Sequence, residues 1–172
     1  MIIRPLVPTE AEAYAILRRE MLLDSPWAFS GTPEDDIGLD TPRMRTQLAG
    51  PNYAVIGAFD ENGKLVASCG LMARHQRKMA HRVHIWGVYV TPAVRGRGIG
   101  RSVVQGAIDL ARTWPGINSA ALSASVRATT AIALYQSLGF GIWGTEPECI
   151  SLDGTLIDEV HMTLRFHRIA AQ

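Results

Sequence analysis

The chain has little cysteine, almost no net charge and no long apolar run, and each shortage excludes something. Its two cysteines, Cys69 and Cys149, lie far apart and show neither metal nor redox spacing. A disulfide framework and a C-x-x-C centre are therefore excluded. The expectation is two small, half-buried, reduced thiols in a cytoplasmic protein. Seventeen Lys and Arg stand against sixteen Asp and Glu, a formal net charge of +1. Dedicated nucleic-acid binders carry a strong basic excess, so no nucleic-acid partner is expected. No apolar stretch is long enough to span a membrane, and Met1-Ile2-Ile3-Arg4-Pro5 lacks a signal-peptide pattern. Repeats, linkers and low-complexity tracts are missing as well. His75, His81 and His84 have no carboxylate or cysteine at ligand spacing, so no metal is expected.

What is present suits one ordinary domain spanning residues 1–172. At 47% hydrophobic residues the chain can bury a sizeable core and is not disordered. Ile2-Ile3-Arg4-Pro5 reads as a first strand. A helix is expected from Pro8 to about Leu23, with Thr9 as N-cap and Ala13, Ile16, Leu17 and Glu20 carrying its period. A second, weaker helix is expected over roughly Glu34 to Leu48, interrupted by Gly38 and Pro42. Tyr53 to Phe59 and Leu65 to Ala73 read as strands joined by an Asn62-Gly63 hairpin turn. Arg82 to Val90 is a further strand. A helix over about Gly98 to Arg112 has the apolar stripe Ile99, Val103, Ala107, Leu110 and Ala111. Leu122 to Val126 is a buried strand, Ala131 to Leu138 a helix, and Phe140 opens another strand. Val160 to Phe166 alternates as the last one, and Arg168 to Gln172 read as an untethered tail. Hairpins early and β-α-β connections late predict one mixed α/β sheet covered by helices on both faces.

The most informative stretch is Val88-Tyr89-Val90-Thr91-Pro92-Ala93-Val94-Arg95-Gly96-Arg97-Gly98-Ile99-Gly100-Arg101. A strand runs into an Arg- and Gly-rich loop that opens a helix. Glycines let backbone N–H groups approach an anion, and the helix start offers unpaired N–H groups and a positive dipole end. Arg95, Arg97 and Arg101 add charge and forked donors. A P-loop would need Lys-Ser/Thr after its last glycine, and Gly100 is followed by Arg101-Ser102. The dinucleotide pattern G-x-G-x-x-G fails because position 101 is not glycine.

The pattern that fits is Arg95-x-x-Gly98-x-Gly100. It resembles the acyl-CoA-binding motif of the GNAT superfamily of N-acetyltransferases. Downstream, Ala131-Ile132-Ala133-Leu134-Tyr135 followed by Gly139-Phe140 is similar to that family's second signature. The resemblance runs from about Ile2 to Phe166. It implies a mostly antiparallel sheet of about seven strands, splayed at strands 4 and 5, with acetyl-CoA or CoA in the gap as co-substrate. It implies backbone contacts from Val88, Tyr89 and Val90 to the pantetheine arm, and a pyrophosphate wrapped by Arg95, Gly96, Arg97, Gly98, Ile99, Gly100 and Arg101. Gly87 is placed to mark a bulge that exposes a strand N–H to the acyl oxygen.

Many relatives have an Asn where this chain has Ala128, so a threonine hydroxyl, Thr130, would replace that contact. By the same resemblance Tyr135 is the candidate general acid for the departing thiolate. His84, on the strand facing the splay, is a candidate general base that would titrate near neutrality. Glu34, Asp35 and Asp36 read either as acceptor-pocket acids or as helix-start charges, and Trp27, Phe29 and Trp86 either as pocket walls or as core. The implied activity is direct transfer of acetyl from acetyl-CoA to a primary amine, on a small molecule, a protein N-terminus or a lysine. The resemblance also allows a homodimer. The alternatives are a non-catalytic acyl-CoA sensor and a nucleotide binder unrelated to CoA.

Overall fold

A computed structural model describes residues 1–166. The expected tail, Arg168 to Gln172, lies outside the described residues. Among the described residues, seven strands form one sheet in the order β1-β2-β3-β4-β5-β7-β6. They are β1 (Ile2–Pro5), β2 (Tyr53–Phe59), β3 (Leu65–Ala73), β4 (Arg82–Val90), β5 (Ser119–Ser125), β6 (Gly141–Leu152) and β7 (Thr155–Arg165). The helices are α1 (Ala11–Asp24), α2 (Thr41–Ala49), α3 (Ile99–Thr113) and α4 (Thr129–Ser137). Every strand pair is antiparallel except β4 with β5. This is the mixed, mostly antiparallel sheet expected, with helices on both faces.

Strand alternation sorts the core into two layers. Val55 of β2 packs with Tyr14, Leu17 and Met21 of α1 and Met44 of α2, whereas the next residue, Ile56, packs with Val103 and Ala107 of α3. Burying one such aliphatic side chain contributes roughly 1.5–3 kcal/mol. The α3 stripe follows the expected period, with Val104 and Ile108 added and Leu110 only half-buried.

Strand β4 changes phase part-way along. Val83 and Ile85 face the α3 layer, and Trp86 and Tyr89 face the α1 layer. Val88 and Val90 then pack against the α3 layer. The cause is a bulge, because Ser68 opposes Tyr89 while Gly70 opposes Trp86, so Cys69 stands against both Gly87 and Val88. Gly87 takes φ +58°, as a bulge glycine can.

Beyond the bulge the sheet opens. Strands β4 and β5 are paired at Arg82–Ser119, Val83–Ala120 and His84–Ala121, and no further. From Ile85 to Val90 no strand of the described residues pairs with the β5 side of β4. Strands β5 and β7 stay paired from Ser119–Arg165 to Ser125–Glu159. The fork expected between the fourth and fifth strands is therefore present, and it starts at His84.

Several local expectations are corrected. Thr9 does not cap α1: a 3-10 turn at Pro8–Glu10 precedes it, and the Glu10 carboxylate accepts from Val7 N–H at 2.9 Å and from Arg4. The buried face of α1 is Ala11, Tyr14, Leu17, Arg18, Met21 and Leu22, and Ile16 is 69% exposed. The helix expected from Glu34 is a turn and a 3-10 segment, Ile37–Leu39, followed by α2. Pro42 sits in the first turn of α2, where its missing N–H needs no partner. Cys69 is buried, but Cys149 is exposed on β6 rather than half-buried. Strand β7 begins at Thr155, ahead of the expected Val160.

Candidate active site

The fork separates two cavities that share a wall. The larger, about 630 Å³, lies at the phosphate-type loop, and its exposed lining is mainly apolar. On one side it has Val88, Tyr89 and Val90 of β4, then Arg95, Gly96, Gly98, Ile99, Gly100 and Arg101. On the other it has Thr130 and Tyr135 of α4. All of these are residues that the sequence singles out. Arg97 is exposed on the loop and does not line the cavity. Trp27 and Phe29 do, along with Ser25 and Arg127.

Loop geometry explains what this cavity can hold. Gly96 and Gly98 both take φ +77°, and a Cβ at either would meet nothing within 4 Å. The backbone is thus bare toward open space. Gly98 is the N-cap of α3, and no side chain caps that end. The first N–H groups of α3 are left for an anion.

The Arg95 guanidinium is already engaged. It bonds the Val90 carbonyl through Nε at 2.9 Å, pairs with the Asp24 carboxylate and lies over the Tyr89 ring at 5.4 Å. Glu20, one turn before Asp24, accepts from the hydroxyls of Tyr89 and Thr91. Together these contacts tie the end of α1 to the entry of the loop. Arg95 therefore positions the loop with its side chain, and Arg101 reaches Ser137 Oγ at 2.8 Å.

The smaller chamber, about 210 Å³, lies on the α1 side of the fork. His84, Trp86 and Gly87 of β4 line it, with Ser123 and Ser125 of β5, Glu159 of β7, Arg18 and Phe29. Arg18 is held by Asp36, which accepts from Nε at 3.0 Å, and its guanidinium lies 5.1 Å from the Phe29 ring centre. Asp36 is thus one half of a buried ion pair. Asp35 caps Thr32 at an exposed turn, and neither Asp35 nor Glu34 lines the chamber.

His84 does not behave as its sequence position suggests. Burial, then the charges of Arg74, His161 and Arg82, push its pKa down to about 4. It stays neutral through the physiological range and is not a base that titrates near neutrality.

Tyr135 lines both cavities. It is 5% exposed, with its ring edge-on to Phe140 at 6.1 Å between centroids. Gly139, at φ +93°, turns the chain so that Phe140 comes back against it. Burial, and to a lesser degree Cys69, raises the phenol well above its ordinary range. The hydroxyl holds its proton at neutral pH and is free of hydrogen-bond partners among the described residues.

Sequence reasoning missed Arg18, Ser123, Ser125 and Glu159. The signal was there in part. Ser123 and Ser125 are two apart on β5, and their register partners His161 and Glu159 are two apart on β7, so all four share one face.

Comparison with known proteins agrees with the geometry. The family model described as Acetyltransferase (GNAT) family matches residues 15–140. A provisionally named phosphinothricin acetyltransferase, YwnH of Bacillus subtilis, is 27% identical over 103 residues, which is 59% of this chain and 61% of that protein. Mycothiol acetyltransferase of Renibacterium salmoninarum is 34% identical over 62 residues, 36% of this chain and 18% of that protein. The chain thus spans about three fifths of the first relative and under a fifth of the second.

Among solved structures, a GNAT-family acetyltransferase of Streptococcus pneumoniae superposes with a TM-score of 0.84 at 22% identity, over 96% of this chain and 99% of that one. A GNAT phosphinothricin acetyltransferase of Sinorhizobium meliloti, solved with acetyl-CoA, gives 0.82 at 20% identity, over 99% and 91%. These likenesses carry the fold. The family model covers well over half of the sequence, and the chain belongs to the acetyltransferase (GNAT) family.

Proposed function

We propose that this protein is an N-acetyltransferase that moves an acetyl group from acetyl-CoA to a primary amine by direct attack in a ternary complex. The observation that carries this reading is Tyr135, which stands in the shared wall of the two cavities. One cavity suits the donor and the other the acceptor.

The donor side fits on several counts. A volume of about 630 Å³ lies within the usual range of ligand pockets. The bare glycine backbone and the uncapped start of α3 suit a pyrophosphate. Apolar walls and the open edge of β4 from Ile85 to Val90 suit an extended arm. When bound, acetyl-CoA supplies an acyl group activated as a thioester. The protein then has to place that group and manage protons. The bulge at Gly87 and Val88 would turn a backbone N–H toward the fork, where negative charge develops on the acyl oxygen. Tyr135 keeps its phenolic proton until the thiolate leaves, and then donates it. His84, neutral at pH 7, borders the acceptor chamber at the root of the fork.

Calorimetric titration with acetyl-CoA, CoA and ATP tests the donor assignment, and acetyl transfer to a panel of amines tests the reaction. The names of YwnH and the Sinorhizobium enzyme put phosphinothricin on that panel, beside amino acids, polyamines and peptides. Binding of both CoA species without ATP, together with transfer to an amine, is the expected result. Binding with no transfer to any amine would favour the sensor reading. No binding of CoA species by folded protein would remove both readings.

A further inference from the structure

We propose that Glu159 is the catalytic carboxylate that receives the incoming ammonium and takes its proton. The proposal rests on the acetyltransferase reading above. An alkylamine arrives protonated at neutral pH, since a free lysine amine has a pKa of about 10.4. It must lose a proton before its nitrogen can attack. A group that attracts a cation and accepts a proton has to face the acceptor.

The chamber narrows the choice. Glu159 is the only carboxylate among the described residues that line it. His84 lines it too, but its imidazole stays neutral down to about pH 4 and so carries no charge to attract an ammonium. Asp36 is locked to Arg18, so that pair presents little net charge. Glu34 and Asp35 lie outside.

Glu159 is firmly placed. It opposes Ser125 across β5 and Glu146 across β6, at the point where β5 ends. From β6, Cys149 Sγ donates to Glu159 Oε2 at 3.4 Å, and this orients the carboxylate. Glu146, its charged neighbour across the strand pair, is occupied by His161 Nε2 at 2.9 Å. Among the described residues, Arg18 from α1 and His84 from β4 are the other ionisable groups facing the chamber besides Tyr135. Tyr135 stands in the wall toward the donor, so proton acceptor and proton donor belong to one small space.

The proton count closes. Glu159 takes one proton from the ammonium and later passes it to solvent. The nitrogen lone pair forms the C–N bond to the acyl carbon, and the C–S bond breaks. The departing sulfur takes the Tyr135 phenolic proton. The second proton released from the nitrogen restores Tyr135. The products are the amide and the free thiol. At about 210 Å³ the chamber admits an aminoalkyl group or an amino-acid headgroup, not a drug-sized molecule.

The test compares wild type with Glu159→Gln, using spermidine and L-lysine as alkylamine probes. Hydroxylamine, which is largely neutral at pH 7, serves as a third. Acetyl-CoA affinity by calorimetry checks that the variant is folded, and Glu159→Asp gives a shorter carboxylate. The expected result is unchanged acetyl-CoA affinity in Glu159→Gln. Transfer to the alkylamine accepted by wild type should fall about 100-fold at pH 7. The loss should be much smaller with hydroxylamine and should shrink as the pH rises toward 10. Glu159→Asp should keep part of the activity. An equal loss with all acceptors at every pH would mean a structural role and would overturn the proposal. Wild-type rates in Glu159→Gln would overturn it too, while leaving the enzyme reading intact. A wild type that binds acetyl-CoA but acetylates none of the probes or the amine panel would overturn the enzyme reading, and this proposal with it.

Discussion

Ser68 Oγ donates a 3.0 Å hydrogen bond to the carbonyl of Gly87, across the point where β3 and β4 slip register. Ser68 is fully buried, so its hydroxyl has no water to turn to. The bond fixes the bulge on which the open edge of β4 depends. Gly87→Ala would place a side chain at φ +58°, a strain of about 1–2 kcal/mol. The added Cβ would sit 3.4 Å from Tyr14 Oη, an ordinary contact, so the strain is in the backbone. The melting temperature should fall by about 2–8 °C, and acetyl transfer should fall with it. Ser68→Ala should lose about 1 kcal/mol. Wild-type melting and turnover in Gly87→Ala would show that the bulge is incidental.

At Gly98, binding and folding should separate. The glycine lines the donor cavity, caps α3 and has open space where a Cβ would stand. Gly98→Val should weaken acetyl-CoA binding by at least about tenfold, roughly 1.4 kcal/mol. A side chain at φ +77° also strains the backbone by about 1–2 kcal/mol, so the melting temperature should fall by about 2–8 °C while the far-ultraviolet circular dichroism spectrum at 25 °C is unchanged. An unaltered dissociation constant would place the donor phosphates somewhere other than this loop.

His84 makes a pH prediction with a definite sign. Its pKa in the folded protein is about 4, below the ordinary value of 6.5, because the half-buried ring is poorly solvated and feels the charges of Arg74, His161 and Arg82. As pH falls, the unfolded chain takes up the proton first. The stability associated with neutral His84 is therefore complete above pH 6.5 and is lost as pH falls from 6.5 to about 4. Urea unfolding at pH 7 and pH 4.5 should show a smaller drop in stability for His84→Asn than for wild type. NMR titration of the ring should show protonation only near pH 4, and a midpoint near 6.5 would contradict the poorly solvated placement.

The strands were legible because their signals are local. Alternation and the Asn62-Gly63 turn give β2 and β3, and the run Arg82 to Val90 gives β4, to the residue. The lining of the larger cavity was legible for a related reason, since its loop and the α4 segment are each contiguous in sequence. The lining of the smaller chamber was not. The buried face of α1 includes Arg18, a charged residue that belongs in the core only because Asp36 meets it there. Ile16, which fits the expected period, faces solvent instead. The low pKa of His84 comes from burial and from charges on other elements, and nothing beside it in the chain signals this. Glu159 enters the chamber through pairing of β7 with β5, and the start of β7 is masked by the polar, exposed residues of the β6–β7 hairpin.

The most direct measurement of the central claim is steady-state acetyl transfer by Tyr135→Phe, beside its calorimetric affinity for acetyl-CoA. The ring and its contact with Phe140 are kept, and only the hydroxyl is removed. If Tyr135 protonates the departing thiolate, kcat falls about 100-fold or more while acetyl-CoA affinity stays within about twofold. Equal turnover by the two proteins would contradict the account, and Tyr135 would then be only a packing residue between two cavities.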